Sequence, residues 1–243
     1  MECQSRMRLN VAMNRGWSLW MGGWLACGAC WAAGWVQVPC HAARSGPAGG
    51  FDLGRCEVTV AEFVRFLNHS GAIDFPETAQ IIRRAGGKYV ARRGMRRQAV
   101  AEVTAAEAEA YCQWRSHQTG RRVRLPVGAE WEVAARGGVD GAPYPWGWGG
   151  HPSELARFDA PGPAPRGGRH VANGFGLFDM AGNLFEWNAA EPGIPAGQRI
   201  ARGGSWAERD PVLLRIDHRQ LFPEDYRGRD VGFRVLRERT PEP

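Results

Sequence analysis

The sequence predicts an α+β fold, because a few capped helices are followed by a long region of short strands and turns. The caps and the hydrophobic spacing typical of helices occur at residues 59–71 and 104–120. After Gly138 the apolar residues lose any regular period, and Gly, Pro and Asn separate short apolar runs. With 33 Gly and 16 Pro in 243 residues, we expect many loops and little regular secondary structure.

The composition is that of a globular protein. Hydrophobic residues make up 44% of the chain and charged residues 23%, which excludes a collagen, a coiled coil and a wholly disordered protein. A net charge of +6 is a mild excess, and no Lys/Arg run alternates with aromatic residues, so no nucleic-acid partner is predicted. A basic cluster at 83–97 indicates either a solvated loop or a docking site for an acidic partner.

The N-terminal region has the order of a secretory signal peptide. Three arginines precede the uncharged apolar stretch 17–38, and small residues follow at Ala42 and Ala43. We therefore predict a signal peptide over residues 1–42, cleavage near Ala42 or Ala43, and export to the periplasm or the extracellular space. The alternative is a membrane anchor formed by residues 17–38, and only then is the membrane a partner.

Cleavage there leaves a linker at 43–50, one domain at 51–238 and a tail at 239–243. It also removes four of the six cysteines, so that only Cys56 and Cys112 remain. An oxidising compartment permits a disulfide between these two. Two buried free thiols fit the sequence equally well, because the spacing does not show that their Cα atoms are close.

The first elements can be predicted from local signals. A strand is predicted over residues 51–58. Thr59 and Glu62 then form a capping box, in which each side chain satisfies a free N–H of the first helical turn, and Gly71 ends the helix. The same pattern is repeated over residues 104–120.

A third, shorter helix is predicted over residues 127–136, with Trp131 on its buried face and Gly137 as its end. Val127 stands where a capping side chain is expected, and valine has no oxygen to cap with. Residues 71–100 form a basic connection for which the sequence predicts no particular structure.

A series of motifs then follows in a fixed order. They are RLP at 124–126, EWE at 130–132, AARGG at 134–138, YPWG at 144–147, NGFGLFDMAGN at 173–183, EW at 186–187, RGGSW at 202–206 and GFR at 232–234. Together they resemble the formylglycine-generating enzyme (sulfatase-modifying factor) family, and EVT at 57–59 fits its N-terminal element. The resemblance covers residues 51–238 and implies a variant of the C-type-lectin fold.

The large side chains of these motifs have a structural interpretation of their own. Arg136 and Arg234 are expected to tie loops together through carboxylates, since a bidentate arginine holds a fixed geometry. Four tryptophans are expected in the core, each with a partner for its indole N–H: Trp131, Trp146, Trp187 and Trp206.

The resemblance also implies a structural calcium ion. Matched residue by residue, its ligands are Asp179, the backbone carbonyls of Gly182 and Leu184, and Glu186, all of them the hard oxygen donors that Ca²⁺ prefers. The alternative is that Asp179 caps a turn and Glu186 pairs with an arginine. A second calcium site of the family is expected to be missing, because Arg157 stands at a ligand position and cannot bind a cation.

The catalytic metal of the family is not expected. The resemblance implies that its oxidases hold Cu(I) through two cysteines after the GGS motif and use O₂ to convert a substrate cysteine into formylglycine. Glu208 and Leu213 stand at those positions, and no cysteine follows Cys112. Cu(I) is a soft ion that needs thiolate ligands, so copper binding and formylglycine generation are not predicted.

Other catalytic chemistry finds little support in the sequence. The histidines after residue 42 lack the spacing of a metal site. Ser205 is not in a nucleophile elbow, and its hydroxyl is expected to satisfy a backbone group. Whether the chain is an enzyme stays open. The alternative function is an oxidoreductase of the same family with a different metal, such as non-haem iron, or a cryptic copper oxidase that activates sulfatases.

We therefore predict an exported, non-catalytic member of the family that acts as a binding or structural module. Its binding surface is expected in the loops that replace the active cleft, and its arginines suit a peptide, a protein or an anionic small ligand. The alternative is that these arginines are solvated or paired with Glu224 and Asp225. The predicted cleft residues are Ser205, Glu208, Arg215, His218, Arg219, Tyr226 and Arg227.

Overall fold

Two four-stranded sheets and one hairpin form the β part of the protein, in a computed structural model that describes residues 34–39, 50–71 and 73–239. Short helices connect them, so the fold is α+β as the sequence predicts. The elements in chain order are β1 Trp35–Val38, β2 Phe51–Gly54, α1 Val60–Ser70, β3 Ile81–Arg83, β4 Tyr89–Ala91, α2 Ala105–Thr119, β5 Val123–Arg124, α3 Gly128–Arg136, α4 Pro152–Leu155, β6 Phe185–Trp187, β7 Gln198–Arg202, the 3₁₀ helix Pro211–Leu214, β8 Gln220–Pro223, β9 Val231–Gly232 and β10 Leu236–Glu238.

The sheets bring distant segments of the chain together. The first sheet has the strand order β1-β2-β10-β5, and the third has the order β8-β7-β6-β9. All pairings are antiparallel except that of β6 with β9, which is parallel. Because β6 and β9 lie side by side, Glu186 of the EW motif stands next to Gly232 of the GFR motif.

The capping boxes of α1 and α2 are confirmed. The hydroxyl of Thr59 accepts a hydrogen bond from the N–H of Glu62, whose carboxylate accepts from the N–H of Thr59 at 2.9 Å. The helix ends at Gly71, which has the left-handed conformation (φ 58°) that favours glycine. The buried face of α1 includes Phe63 and Phe66, which pack against Tyr111 of α2, and Phe63 also packs against Phe233, which follows β9.

The third helix is also confirmed, but its N-terminus is capped from elsewhere. The carboxylate of Glu130 accepts a hydrogen bond from the N–H of Val127 at 3.0 Å. The carboxylate of Glu191, in a loop far along the chain, accepts from the N–H of Gly128. A tertiary contact thus replaces part of the cap that Val127 cannot supply.

The basic connection contains a β-hairpin, which the sequence did not predict. Strands β3 and β4 pair, and Ile81 and Tyr89 bury their side chains in the core. Arg83 pairs with Asp74 at 2.7 Å on the surface. Several other basic residues of this segment are exposed to solvent: Arg84, Lys88, Arg93 and Arg96.

A strand precedes the position at which the sequence placed the start of the domain. Residues 35–38 lie within the predicted signal peptide, yet they form β1 and pair with β2 in the first sheet. Val36 and Val38 are buried at 7% and 0% exposure, so this strand contributes side chains to the core. The rest of the predicted signal, the linker up to residue 49 and the end of the tail lie outside the described residues.

The four tryptophans are divided between the core and its edge. Trp131 and Trp187 are fully buried, and Trp187 donates its indole N–H to the carbonyl of Val103 at 2.9 Å. Trp206 is half-buried and donates to a backbone carbonyl. The expected partner is missing at Trp146, whose ring stacks on Tyr144 and whose N–H has no acceptor among the described residues.

The two cysteines of the described chain do not pair with each other. Cys112 is a free, buried thiol in α2, and burial raises its pKa above the usual range for a thiol. Cys56 is disulfide-bonded, so the disulfide considered between Cys56 and Cys112 is not formed. None of the helices in the described part of the chain combines the length and the apolarity that a membrane crossing requires.

Candidate functional site

Glu186 and Arg234 form an ion pair at the centre of the molecule. Glu186 lies in β6 and Arg234 follows β9, and both side chains are almost completely buried. The guanidinium holds the carboxylate through Nη2 at 2.7 Å and Nε at 3.0 Å. The indole N–H of Trp131 donates to the Oε2 atom of Glu186 at 2.7 Å. The prediction that Arg234 ties loops through a carboxylate is therefore confirmed.

Arg234 also fastens three backbone segments. It donates to the carbonyls of Gly54 at 2.8 Å, Arg55 at 3.0 Å and Phe178 at 2.8 Å. With the bonds to Glu186, every N–H of the guanidinium has an acceptor. A buried charge pair of this kind stabilises a fold only when such additional hydrogen bonds satisfy it.

Two further carboxyl groups lie beside this pair. Glu57 is 3% exposed and Asp179 is 7% exposed. The Oε1 atom of Glu57 accepts from the amide of Asn183 at 2.7 Å, whereas its Oε2 atom has no hydrogen-bond partner among the described residues. A Cβ placed on Gly167 would lie 3.4 Å from Asp179 Oδ2 and 3.6 Å from Glu57 Oε2, so both oxygens face one small space.

We call Glu57, Asp179, Glu186 and Arg234 the buried ionic centre. Its three carboxyl groups face a single guanidinium. Burial raises the pKa of Glu57 well above its usual value, and the charge of Asp179 raises it further. Burial also raises the pKa of Asp179, against the lowering effect of the Gly168 N–H. The centre is short of positive charge, which either protons or a bound cation would supply.

The expected calcium ligands fit this geometry only in part. Both oxygens of Glu186 are engaged by Arg234 and Trp131, as the alternative of an arginine partner predicted, so Glu186 is not a free ligand. Among the described residues, no three His, Cys, Asp or Glu side chains converge as a metal site. Asp179 with Glu57 fits a cation better, because the unpartnered oxygen belongs to Glu57. Arg157, which stands at a ligand position of the second calcium site of the family, donates to the carbonyl of Gly162.

A second group of carboxyls lies at the surface after the RGGSW motif. Ser205 is buried, and its hydroxyl accepts from the N–H of Ala207 at 3.2 Å and bonds the Glu208 carboxyl. Burial and the neighbouring Asp230 raise the pKa of Glu208. The phenol of Tyr226 donates to Asp230 at 3.3 Å. We call Ser205, Glu208, Tyr226 and Asp230 the acidic surface site.

The remaining members of the predicted cleft do not join this site. Each of its three arginines has an acidic neighbour elsewhere, and the partners named in the alternative, Glu224 and Asp225, are wrong. The pairs are Arg215–Asp217 at 2.8 Å, Arg227–Glu107 at 2.7 Å and Arg219–Glu132 at 3.9 Å. The backbone carbonyl of His218 accepts from the buried Arg202.

Residues 20–239 match the family of the sulfatase-modifying factor enzyme 1-like domain. The chain belongs to this family. It is 40% identical over 153 residues to the mouse protein named inactive Cα-formylglycine-generating enzyme 2, covering 56% of this chain and 47% of that protein. It is 41% identical over 106 residues to the formylglycine-generating enzyme of Mycobacterium tuberculosis, covering 38% of this chain and 33% of that enzyme. The chain thus spans about half the length of these relatives, or less.

A solved structure shares the fold. PvdO from Pseudomonas aeruginosa superimposes with a TM-score of 0.63 at 27% identity, covering 81% of this chain and 85% of that chain. The sulfatase-modifying factor fold therefore extends over the greater part of the molecule. The match of the family also begins upstream of residue 51, in agreement with the place of β1 in the first sheet.

The positions matched to the copper cysteines carry other chemistry in this sulfatase-modifying factor domain. Glu208 belongs to the acidic surface site, and Leu213 lies in the 3₁₀ helix, half-buried. A carboxylate and an isobutyl group are not ligands for Cu(I). Sequence reasoning missed Asp230 and Glu57 as site residues. Each lies close to a family motif, Glu57 inside EVT and Asp230 just before GFR, and that proximity was the available signal.

Proposed function

We propose that this chain is a non-catalytic member of the sulfatase-modifying factor family that binds a basic peptide segment at the acidic surface site. The observation that carries the proposal is Glu208. It stands where the resemblance places a copper-binding cysteine, its carboxyl bonds the hydroxyl of Ser205, and Asp230 adds a second carboxyl close enough to raise its pKa. The mouse relative named as inactive supports a non-catalytic role within the family.

The chemistry of the site favours a cationic ligand. Among the described residues, neither Glu208 nor Asp230 forms an ion pair with a basic side chain, and Tyr226 adds a phenol at their side. The half-buried indole of Trp206 lies next to Ser205 in the chain. Carboxylates bind guanidinium and ammonium groups through charge-assisted hydrogen bonds, and aromatic faces attract the same cations. An anionic ligand fits less well, because Arg215 and Arg227 are engaged elsewhere.

An aldehyde assay tests the absence of oxidase activity. The protein is incubated with Cu(I), O₂, a thiol reductant and a cysteine-containing sulfatase peptide, and the product is read by mass. We expect no formylglycine, while an active formylglycine-generating enzyme run in parallel converts the peptide. Aldehyde formation by this chain would overturn the proposal.

A matched variant makes the copper test sharper. The double substitution Glu208→Cys and Leu213→Cys places two thiols at the matched positions. We expect it to bind Cu(I), because soft thiolates are then available, whereas the single variants and the unchanged protein do not. Stoichiometric copper retention by the unchanged protein would mean that its ligands lie elsewhere.

Export is the second part of the proposal. The basic, apolar and small-residue order at the N-terminus supports it, and so does the disulfide-bonded state of Cys56, because disulfides persist in oxidising compartments. Fractionation of the cells that produce the protein tests it. We expect the protein outside the cytoplasm, with Cys56 protected from alkylation until a reductant is added.

Calcium is the third part of the proposal. A calcium ion between Asp179 and Glu57 would supply the positive charge that the buried ionic centre lacks, and carboxylate oxygens suit it. The unpartnered oxygen of Glu57 and the shared space above Gly167 support this placement. We expect the ion to have a structural role. Asp179 directly follows Phe178, whose carbonyl Arg234 holds, so a calcium ion there would help to fix the same loop.

A further inference from the structure

We propose that the mature protein keeps β1, so that any N-terminal cleavage falls upstream of Gly34 and not at Ala42 or Ala43. The small residues near Ala42 predict a cleavage that would remove β1 from the folded domain. This inference concerns the processing site of the chain and does not depend on what the acidic surface site binds.

The backbone pairing of β1 is the first argument. All four residues of β1 pair with β2, from Trp35 opposite Gly54 to Val38 opposite Phe51. The ladder continues past the strand, where the N–H of Arg55 donates to the carbonyl of Gly34 at 2.8 Å. A cut after residue 42 would release this strand. The side of β2 that now pairs with β1 would then be an open sheet edge.

The side chains of β1 are the second argument. Val38 is completely buried, together with Phe51 and Leu53 of β2 in one core cluster. Trp35 packs against the other large core cluster, and the guanidinium of Arg237 lies 4.6 Å from the centre of its ring. The strand therefore covers apolar side chains on which the first sheet depends, and its loss would expose them to water.

The disulfide of Cys56 is the third argument, and it is independent of β1. Cys56 is disulfide-bonded and Cys112 is a free thiol. The other four cysteines of the chain all precede residue 41. A cut after residue 42 would therefore separate Cys56 from every cysteine except one that is buried and unpaired.

A signal peptide fits upstream of this boundary. The apolar stretch from Trp17 to Ala33 is long enough for the apolar region of a signal, which needs about 7–15 residues. The small residues Ala26, Gly28 and Ala29 lie within it and suit a signal-peptidase site.

The test is to produce the full chain in a secreting host and determine its N-terminus by mass and by terminal sequencing. We expect a mature chain that begins before Gly34, with Cys56 in a disulfide in non-reducing peptide maps. An uncleaved, membrane-held chain also keeps β1 and supports the proposal. A stable, secreted protein that begins within or after β1 would overturn it.

A pair of substitutions in the full chain gives a second reading. Val38→Asn places a polar amide in the core, whereas Gln37→Asn places the same amide on the exposed face of the same strand. We expect Val38→Asn to lose most of the secreted yield and to unfold at a lower denaturant concentration, with Gln37→Asn unchanged. Equal yield and equal unfolding midpoints for Val38→Asn and the unchanged chain would show that β1 is dispensable.

Discussion

The buried ionic centre and the acidic surface site are built from the same kinds of residue, yet their surroundings give them different roles. In the buried ionic centre, Arg234 uses all of its donors on Glu186 and on three backbone carbonyls. In the acidic surface site, Glu208 and Asp230 are half-exposed and lie beside hydroxyl groups. The first arrangement holds segments of the fold together, and the second leaves charge available to a ligand.

Desolvation explains the difference. A charge removed from water costs several kcal/mol unless partners satisfy it, so the buried carboxylate of Glu186 requires its arginine. A carboxyl at the surface keeps most of its hydration and needs no partner within the protein. Acidic residues in or near the family motifs therefore form a structural pair in the interior and, in our proposal, a binding group at the surface.

Substitution of Arg234 should have the largest effect on stability. Arg234→Met leaves Glu186 buried without its cation, and we expect a loss of about 3–5 kcal/mol in the free energy of unfolding. Denaturant unfolding measures it. The control is Arg215→Met at the surface, whose pair with Asp217 is exposed and for which we expect no measurable change. Equal effects of the two substitutions would contradict the comparison between the two regions.

The carboxyls of the buried ionic centre should make stability depend on pH and on calcium. The pKa of Glu57 is raised in the folded protein, so the folded state binds its proton more tightly than the unfolded state. With a chelator present, the free energy of unfolding should fall as the pH rises from the normal pKa of glutamate through the raised pKa. Calcium should replace the proton and remove this fall.

Two glutamine variants separate these effects. Glu57→Gln should flatten the pH dependence in chelator and reduce the stabilisation by calcium, whereas Glu154→Gln, at an exposed position, should change neither. Melting curves over a pH series, with calcium and with chelator, measure both. Identical melting curves with and without calcium would contradict the calcium proposal. A melting temperature that does not change with pH in chelator would contradict a buried proton on Glu57.

Substitution in the acidic surface site should affect binding and leave stability almost unchanged. Glu208→Gln should weaken the binding of an arginine-rich peptide by about tenfold, because one charge-assisted hydrogen bond is lost. Fluorescence anisotropy with arginine-rich and glutamate-rich peptides of equal length measures this. The control is Glu224→Gln, an exposed acidic residue outside the site. An equal loss in the control would indicate only a general effect of charge.

The pH dependence of that binding has a direction of its own. The pKa of Glu208 is raised by burial and by Asp230, and only the ionised carboxyl attracts a cation. Binding should therefore weaken as the pH falls through the raised pKa, and it should lose this dependence in Glu208→Gln. An unchanged pH profile in the variant would assign the titrating group to another residue.

Local signals predicted the helices well, because the groups that decide them are close in sequence. The caps of α1 and α2 join residues three apart, and the glycines that end the helices need only their own backbone conformation. Partners distant in sequence were not predictable in this way. Glu191 caps α3 from 63 residues away, and the hairpin β3–β4 formed where a solvated loop was one expectation.

The sequence by itself determined the family, the capped helices and the lack of thiols at the copper positions, since motif order and residue chemistry need no folded context. Only the tertiary structure decided which polar and charged side chains lie in contact. Asn183 donates to Glu57 across 126 residues, and Arg234 and Trp131 together engage both oxygens of Glu186. It also placed residues 35–38 in the first sheet with Val36 and Val38 in the core, because an apolar run fits a signal peptide and a buried strand equally well until its neighbours are known.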